Sequence, residues 1–283
     1  MNFILMIFIE SIFAAYVAGF LCGYLGVYLS RLRLITLGFA VAHGAIAGAS
    51  IAFLFGLNVE ILSFVFGVSV ALVVEYIHKR FDVERDIASM YVFSLSSAVA
   101  IIAIYMTPTL LLTSDIASMI LWGSILAMTI EKIVFLAVVL AILIAYTRIF
   151  RWELDSILFD KKLAEAEGVN VDIHTIAFVL ISASAISILL RFVGGLLLFS
   201  LIFGPAVAAT SMTYKKQNIV GATIGSISGI LGVIISFHFD LPVGSTIAIS
   251  TCITSILASI AINLYFKRAL KNTIESIPVG HRP

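Results

Sequence analysis

Residues 34–55 read LITLGFAVAHGAIAGASIAFLF, twenty-two residues without one Asp, Glu, Lys or Arg. A helix of about 20 such residues crosses the roughly 30 Å of hydrocarbon in a bilayer. The same pattern recurs along the chain. Spans are predicted at Phe3–Ser30, Leu34–Phe55, Ile61–Ile77, Ile87–Tyr105, Ile130–Tyr146, Ile173–Leu190, Val193–Met212, Ile219–Ser236 and Ser245–Phe266. A tenth stretch, Leu110–Met128, carries Asp115, Ser118, Gly123 and Ser124 and reads as a re-entrant or surface helix. Composition agrees: 61% of residues are hydrophobic and mean hydropathy is +1.16, well above soluble usage. The expected fold is all-α and polytopic, a single membrane domain over 1–283 with a polar loop at about 147–172.

Basic residues set the expected orientation, because Lys and Arg gather in cytoplasmic loops. With nine crossings, fifteen of the seventeen Lys and Arg share one side, and only Lys132 and Arg191 fall on the other. The N-terminus is then outside and the C-terminus inside. An odd number of crossings follows, which leaves the Asp115 stretch uncounted. The net charge of +1 says little about partners, and nothing points to nucleic acid. Phe3–Ser30 lacks the positive n-region of a secretory signal and reads as a retained helix. Cys22 and Cys252 fall inside spans, far from any metal or disulfide spacing.

The polar loop holds the most informative segment, Asp160-Lys-Lys-Leu-Ala-Glu-Ala-Glu-Gly168. Asp160 suits an N-cap, and Gly168 suits the left-handed position that stops a helix two turns later. Leu163 and Ala166 or Glu167 share one face at three-to-four spacing, and Lys161, Lys162 and Glu165 can reach a polar rim. Such a rigid element is a handle for a cytosolic motor; a solvated loop helix is the plainer alternative. The chain has no phosphate-cradling Gly-rich loop ending in Gly-Lys-Ser/Thr and no hydrolase pattern, so ATP chemistry falls to another polypeptide and this chain is not expected to be an enzyme.

His43 stands out on the second span, because a polar ring within the membrane costs free energy unless it faces a cavity or partner. A neutral imidazole is a good ligand for borderline divalent ions. It can equally bond a neighbouring group and serve packing. At the outer side, Asp115, Glu131, His238 and Asp240 can add ligands or simply be solvated. In the His238-Phe-Asp240-Leu-Pro242 turn the structural expectation is that Pro242 stops one span, Asp240 or Ser245 caps the next and Gly244 permits the turn. Glu84 and Asp86 read as helix-end carboxylates. Glu10 and Glu75 are span-end acids able to pair or protonate, and Arg191 reads as an interfacial anchor. Pro205 can create a gate or fit a crowded interface.

Taken in order, Gly38–Gly48 (GFAVAHGAIAG), Glu84–Ser89 (ERDIAS), Leu121–Leu126 (LWGSIL), Phe159–Val169 (FDKKLAEAEGV), Val193–Leu198 (VGGLLL), Phe203–Ala209 (FGPAVAA) and Asp240–Gly244 (DLPVG) resemble one family over nearly the whole chain. It is the ABC-3 family, the permeases of ABC importers for zinc, manganese or iron. The resemblance implies a multi-pass subunit in the cytoplasmic membrane that pairs with a second copy around one path. A cytosolic ABC ATPase would push on the Asp160–Gly168 helix through Asp160, Leu163, Ala164, Glu167 and Gly168, and an extracytoplasmic binding protein would deliver the ion. No cofactor is expected to stay bound; the divalent metal is cargo, and ATP is used by the partner. Relatives commonly carry an Asp one turn before the histidine, where this chain has Phe39. An ion-gradient-driven secondary transporter is the alternative reading, but it calls for midplane carboxylates that the spans lack.

Overall fold

The computed structural model describes residues 3–107, 125 and 128–275 of the protein. These residues form eleven α-helices and one short 3-10 turn. The helices are α1 (Phe3–Arg31), α2 (Ile35–Phe55), α3 (Val59–Phe81), α4 (Arg85–Met106), α5 (Ile130–Ile149), α6 (Arg151–Phe159), α7 (Lys161–Ala166), α8 (Val171–Val193), α9 (Gly195–Ala209), α10 (Gln217–Phe239) and α11 (Val243–Glu275), with the 3-10 turn at Tyr214–Lys216 before α10. Eight of them are long and apolar enough to cross a membrane.

The seventh expected span is the exception. It is α9, only fifteen residues, or about 22 Å of helix. Gly194, at φ +86°, breaks the chain from α8 before α9 begins, and Pro205 lies within α9. The expected span boundaries otherwise hold to within a turn or so at most ends, the last helix running on to Glu275. The stretch around Asp115 lies outside the described residues.

Two helix groups make up the body. In one, α1 packs along α10, and α9 and α11 complete it. In the other, α2 lies against α3, α4 and α8. α5 leans on α1 and α8, and Tyr24 of α1 meets Thr147 of α5 in a buried 2.8 Å hydrogen bond.

Between apolar helices in lipid there is little hydrophobic drive, so association relies on close backbone approach. The α1–α10 contact shows how. Gly19 and Gly23 of α1 face Gly225 and Gly221 of α10, and Gly229 sits over the Ala15 carbonyl. A Cβ on Gly19 or Gly23 would collide with the carbonyl of its facing glycine, and one on Gly26 would strike the Ile202 carbonyl of α9. The α2–α3 contact uses the same device, Gly44 against Val70 and Gly48 against the Leu62 carbonyl.

Ion pairs tie α3 to its neighbours. Lys79 meets Asp172 at 2.8 Å where α8 begins, and Glu60 meets Arg191 at 2.6 Å where α8 ends. α3 and α8 are thus clamped at both ends. Glu75, almost fully buried, takes two bonds from Arg85 of α4, at 2.8 and 3.1 Å. That answers the sequence question about Glu75: it pairs. Asp86 accepts from Thr36 Oγ1 and so ties α4 to α2.

Candidate functional site

Three places on this frame bear on function. The first surrounds His43, which lies midway along α2 and is partly buried. Its ring packs edge-on against Phe93, with centroids 4.4 Å apart, and its Nδ1 lies 2.9 Å from Ser97 Oγ on α4. Ser97 also donates to the Phe93 carbonyl at 2.8 Å. A serine hydroxyl has one hydrogen to give. With that hydrogen on the carbonyl, Ser97 accepts from His43 Nδ1–H, and the lone pair of the imidazole rests on Nε2. A second-atom hydrogen bond that fixes the tautomer is the usual support for a metal-ligating histidine. Sequence reading missed Ser97; only its four-residue offset from Phe93 on one helix face was there to see.

Phe39, one turn before His43, stacks on Phe199 at 4.5 Å between centroids and lies 5.0 Å from Phe203, both of α9. An aromatic contact between the two helix groups therefore stands at the position of the absent carboxylate. Among the described residues no three His, Cys, Asp or Glu side chains come together to hold a metal.

The second place is the far end of α10. His238 is exposed in its last turn, and Asp240, at φ +56°, ends it. The helix closes through Leu241 N donating to the Ser236 carbonyl. Asp240 thus stops α10 and does not cap α11. α11 starts at Val243, straight after Pro242, whose carbonyl accepts from Thr246 N, and Gly244 and Ser245 fall inside that helix. His43 belongs to the group of α2, α3, α4 and α8, whereas His238 and Asp240 close α10 of the other group. Asp115 lies outside the described residues.

The third place is α7, at the end of the bundle where α3 ends and α8 begins. Asp160 Oδ1 accepts from Leu163 N at 2.9 Å, an N-cap as its position in the sequence demands. Gly168, at φ +86°, closes the other end, with its N–H on the Glu165 carbonyl and Val169 N–H on the Ala164 carbonyl. Asn170 then caps α8 by accepting from Ile173 N. Ala164 is fully buried against the bundle, whereas Leu163 is 47% exposed and Phe159, just before the cap, is 82% exposed. Lys161, Lys162, Glu165 and Glu167 are exposed. Partial desolvation, and then the Arg85 and Arg33 guanidiniums nearby, hold the Lys161 ammonium below the usual lysine range, against the pull of Glu75. Alongside, Tyr214 donates to Asp155 Oδ1 at 2.7 Å and lies under the Arg31 guanidinium, 3.7 Å from the ring centre. Burial, and then the hydrogen bond to that carboxylate, push the Tyr214 phenol up to about 12.

A bundle of membrane-crossing helices, with a capped helix exposed at one end, defines a multi-pass membrane protein. The sequence pattern of the ABC 3 transport family matches residues 5–262, and the chain belongs to that family. Among curated relatives, the manganese transport system membrane protein MntC of Listeria monocytogenes is 26% identical over 252 residues, 88% of each chain. A probable iron transport system membrane protein of Haemophilus influenzae is 25% identical over 231 residues, 81% of this chain and 80% of the relative. Of solved structures, PsaBC from Streptococcus pneumoniae in complex with Fab superposes with a TM-score of 0.75 at 24% identity, covering 88% of this chain and 89% of that one, which shows a shared fold. The chain is accordingly an ABC transporter permease of the plasma membrane.

Proposed function

We propose that this protein is the membrane-spanning subunit of an ATP-driven importer of divalent metal cations, two copies enclosing one path. The observation that carries the reading is α7: a helix of six residues, capped at both ends, buried on its Ala164 side and presenting Leu163 outward beside Phe159. Six residues do not hold a helix by themselves. Built caps and a buried anchor make it rigid, and a rigid exposed element is what a partner must push. Lys161, with Arg85 and Arg33 close by, suits an acidic rim on an ABC ATPase. The charge bias of the sequence puts α7 on the cytosolic side and His238 and Asp240 outside, where a binding protein would hand over the ion.

Inside the path, His43 Nε2 is the proposed ligand, met transiently as the ion exchanges water for protein donors. The names of the relatives favour manganese or iron over zinc as cargo. A lone imidazole with Phe39 and no carboxylate one turn away suits iron better than manganese, which prefers carboxylate oxygen. The reading is tested in proteoliposomes holding the chain with its ATPase, by uptake of radioactive manganese, iron and zinc. ATP-dependent uptake of one metal, lost in His43→Ala and in Glu167→Arg, with hydrolysis uncoupled in the second, is the expected outcome. Uptake that persists without an ATPase overturns the reading in favour of a secondary transporter.

A further inference from the structure

A cavity of about 630 Å³ lies between α3, α5 and α8, at the end of the bundle away from α7. Its origin is the packing described above. α3 rests on α2 and α8, and α5 rests on α1 and α8, so the face of α8 between them is left as a floor with α3 and α5 as walls. The side facing away from the bundle is open: Phe64, Phe135, Val138 and Ile142 all line the cavity and are exposed. For a helix in a bilayer, that open side is acyl chain and not water.

The charged lining residues sit at one end. Arg191 stands at the mouth, in the last turn of α8, with its Nη2 on Glu60 at 2.6 Å. Glu60 is 67% exposed, and a guanidinium carries five N–H donors. Ser187 lines the cavity four residues earlier on the same face, about 6 Å deeper. Its hydroxyl is sealed against Gly67 of α3 and does not reach the cavity. Beyond it the floor is Ser184, Ile181 and Leu180. A guanidinium at the helix end and an apolar slot beneath it follow the order of groups in a glycerophospholipid, phosphate above acyl chain. The volume lies within the roughly 300–1,000 Å³ of small-ligand sites.

We propose that this cavity holds one glycerophospholipid of the leaflet away from α7, its phosphate on Arg191 and an acyl chain between α3 and α5. The lipid then fills the gap between helices that the Glu60–Arg191 clamp spans. The proposal is independent of which ion the protein moves.

The test is native mass spectrometry of the full chain released from detergent, titrated separately with phosphatidylglycerol, with diacylglycerol (tails alone) and with glycerol 3-phosphate (headgroup alone). One phosphatidylglycerol per chain is expected. Val138→Trp, which fills the cavity from its open wall, should abolish retention. Arg191→Gln should weaken phosphatidylglycerol roughly fivefold while leaving diacylglycerol unchanged, as loss of one basic group at a headgroup predicts. Glu60→Gln breaks the same ion pair from the other side and should retain the lipid at least as well as wild type, which separates lipid binding from loss of the clamp. Equal retention by wild type, Val138→Trp and Arg191→Gln overturns the proposal. So does binding of glycerol 3-phosphate as tight as that of phosphatidylglycerol, which would make Arg191 a plain phosphate site. A lipid-free dimer in wild type that Val138→Trp dissociates also overturns it, by assigning the face to a second copy.

Discussion

His43 and Ser97, on helices α2 and α4, share a 2.9 Å contact that ties the imidazole to a fixed tautomer. If His43 is a ligand, its partner matters at one remove. Loss of a group that orients a metal ligand costs about 10- to 100-fold in metal affinity. Ser97→Ala is therefore expected to raise the metal concentration for half-maximal uptake by about tenfold, with the maximal rate little changed, and His43→Ala to abolish uptake. Isotope uptake against metal concentration checks both, and equal, mild effects would reduce His43 to a packing residue.

The Glu75–Arg85 pair is nearly sealed, with side chains 5% and 15% exposed. Removing one partner leaves the other charge buried, at a cost of about 3–5 kcal/mol. Arg85→Ala is expected to lose that much in unfolding experiments in detergent, with little dependence on salt. The double variant Glu75→Leu/Arg85→Leu should recover most of it, because no buried charge is then unpaired.

Along the α1–α10 contact the obstacle to a side chain is backbone, which cannot swing away. Gly23→Ala is expected to cost about 3 kcal/mol or more, as overpacking that must separate two helices. Gly38→Ala is the control, since a Cβ there meets only the Ile186 side chain at an ordinary 3.7 Å. Thermal unfolding of the two variants side by side reads the difference.

Tyr214 offers a pH test outside the membrane. Its phenol titrates at about 12, above the ordinary value near 10. A folded-state pKa raised in this way means the fold favours the neutral phenol. That contribution is fully present below about pH 10 and is lost as pH rises through about 12. Subtracting the ultraviolet titration of Tyr214→Phe from that of wild type should show one tyrosine ionising near 12, and Asp155→Asn should bring it down.

The hydropathy pattern makes the fold readable because each crossing must be a continuous apolar helix, whatever it packs against. Asp160 and Gly168 were readable for a similar reason: caps act on their own helix, so sequence neighbours suffice. The Gly19–Gly225 and Gly23–Gly221 contacts were not, because small residues at four-residue spacing announce an interface without naming its partner. The shortness of α9 escaped because its apolar run, read as Val193–Met212, loses Val193 to the end of α8 and Gly194 to the turn at one end, and Thr210, Ser211 and Met212 at the other. In the candidate site, His43 was visible as a costly ring in lipid, whereas Ser97 lies fifty-four residues away and only the α2–α4 packing brings it near.

The last test concerns α7. Asp160→Ala removes the cap to Leu163 N, for about 1 kcal/mol. Gly168→Ala forces a Cβ into φ +86°, where no neighbour lies within 4 Å, so its cost is backbone strain and not a clash. Left-handed backbone costs an L-residue about 1–2 kcal/mol. Both substitutions leave the crossings intact and loosen only the exposed helix. If α7 transmits force, the variants should hydrolyse ATP at or above the wild-type rate with their ATPase while uptake falls, and the double variant should fall furthest. If α7 is merely a solvated loop helix, uptake and hydrolysis stay at wild-type levels in all three, so the ratio of ions moved to ATP hydrolysed distinguishes a handle from a loop.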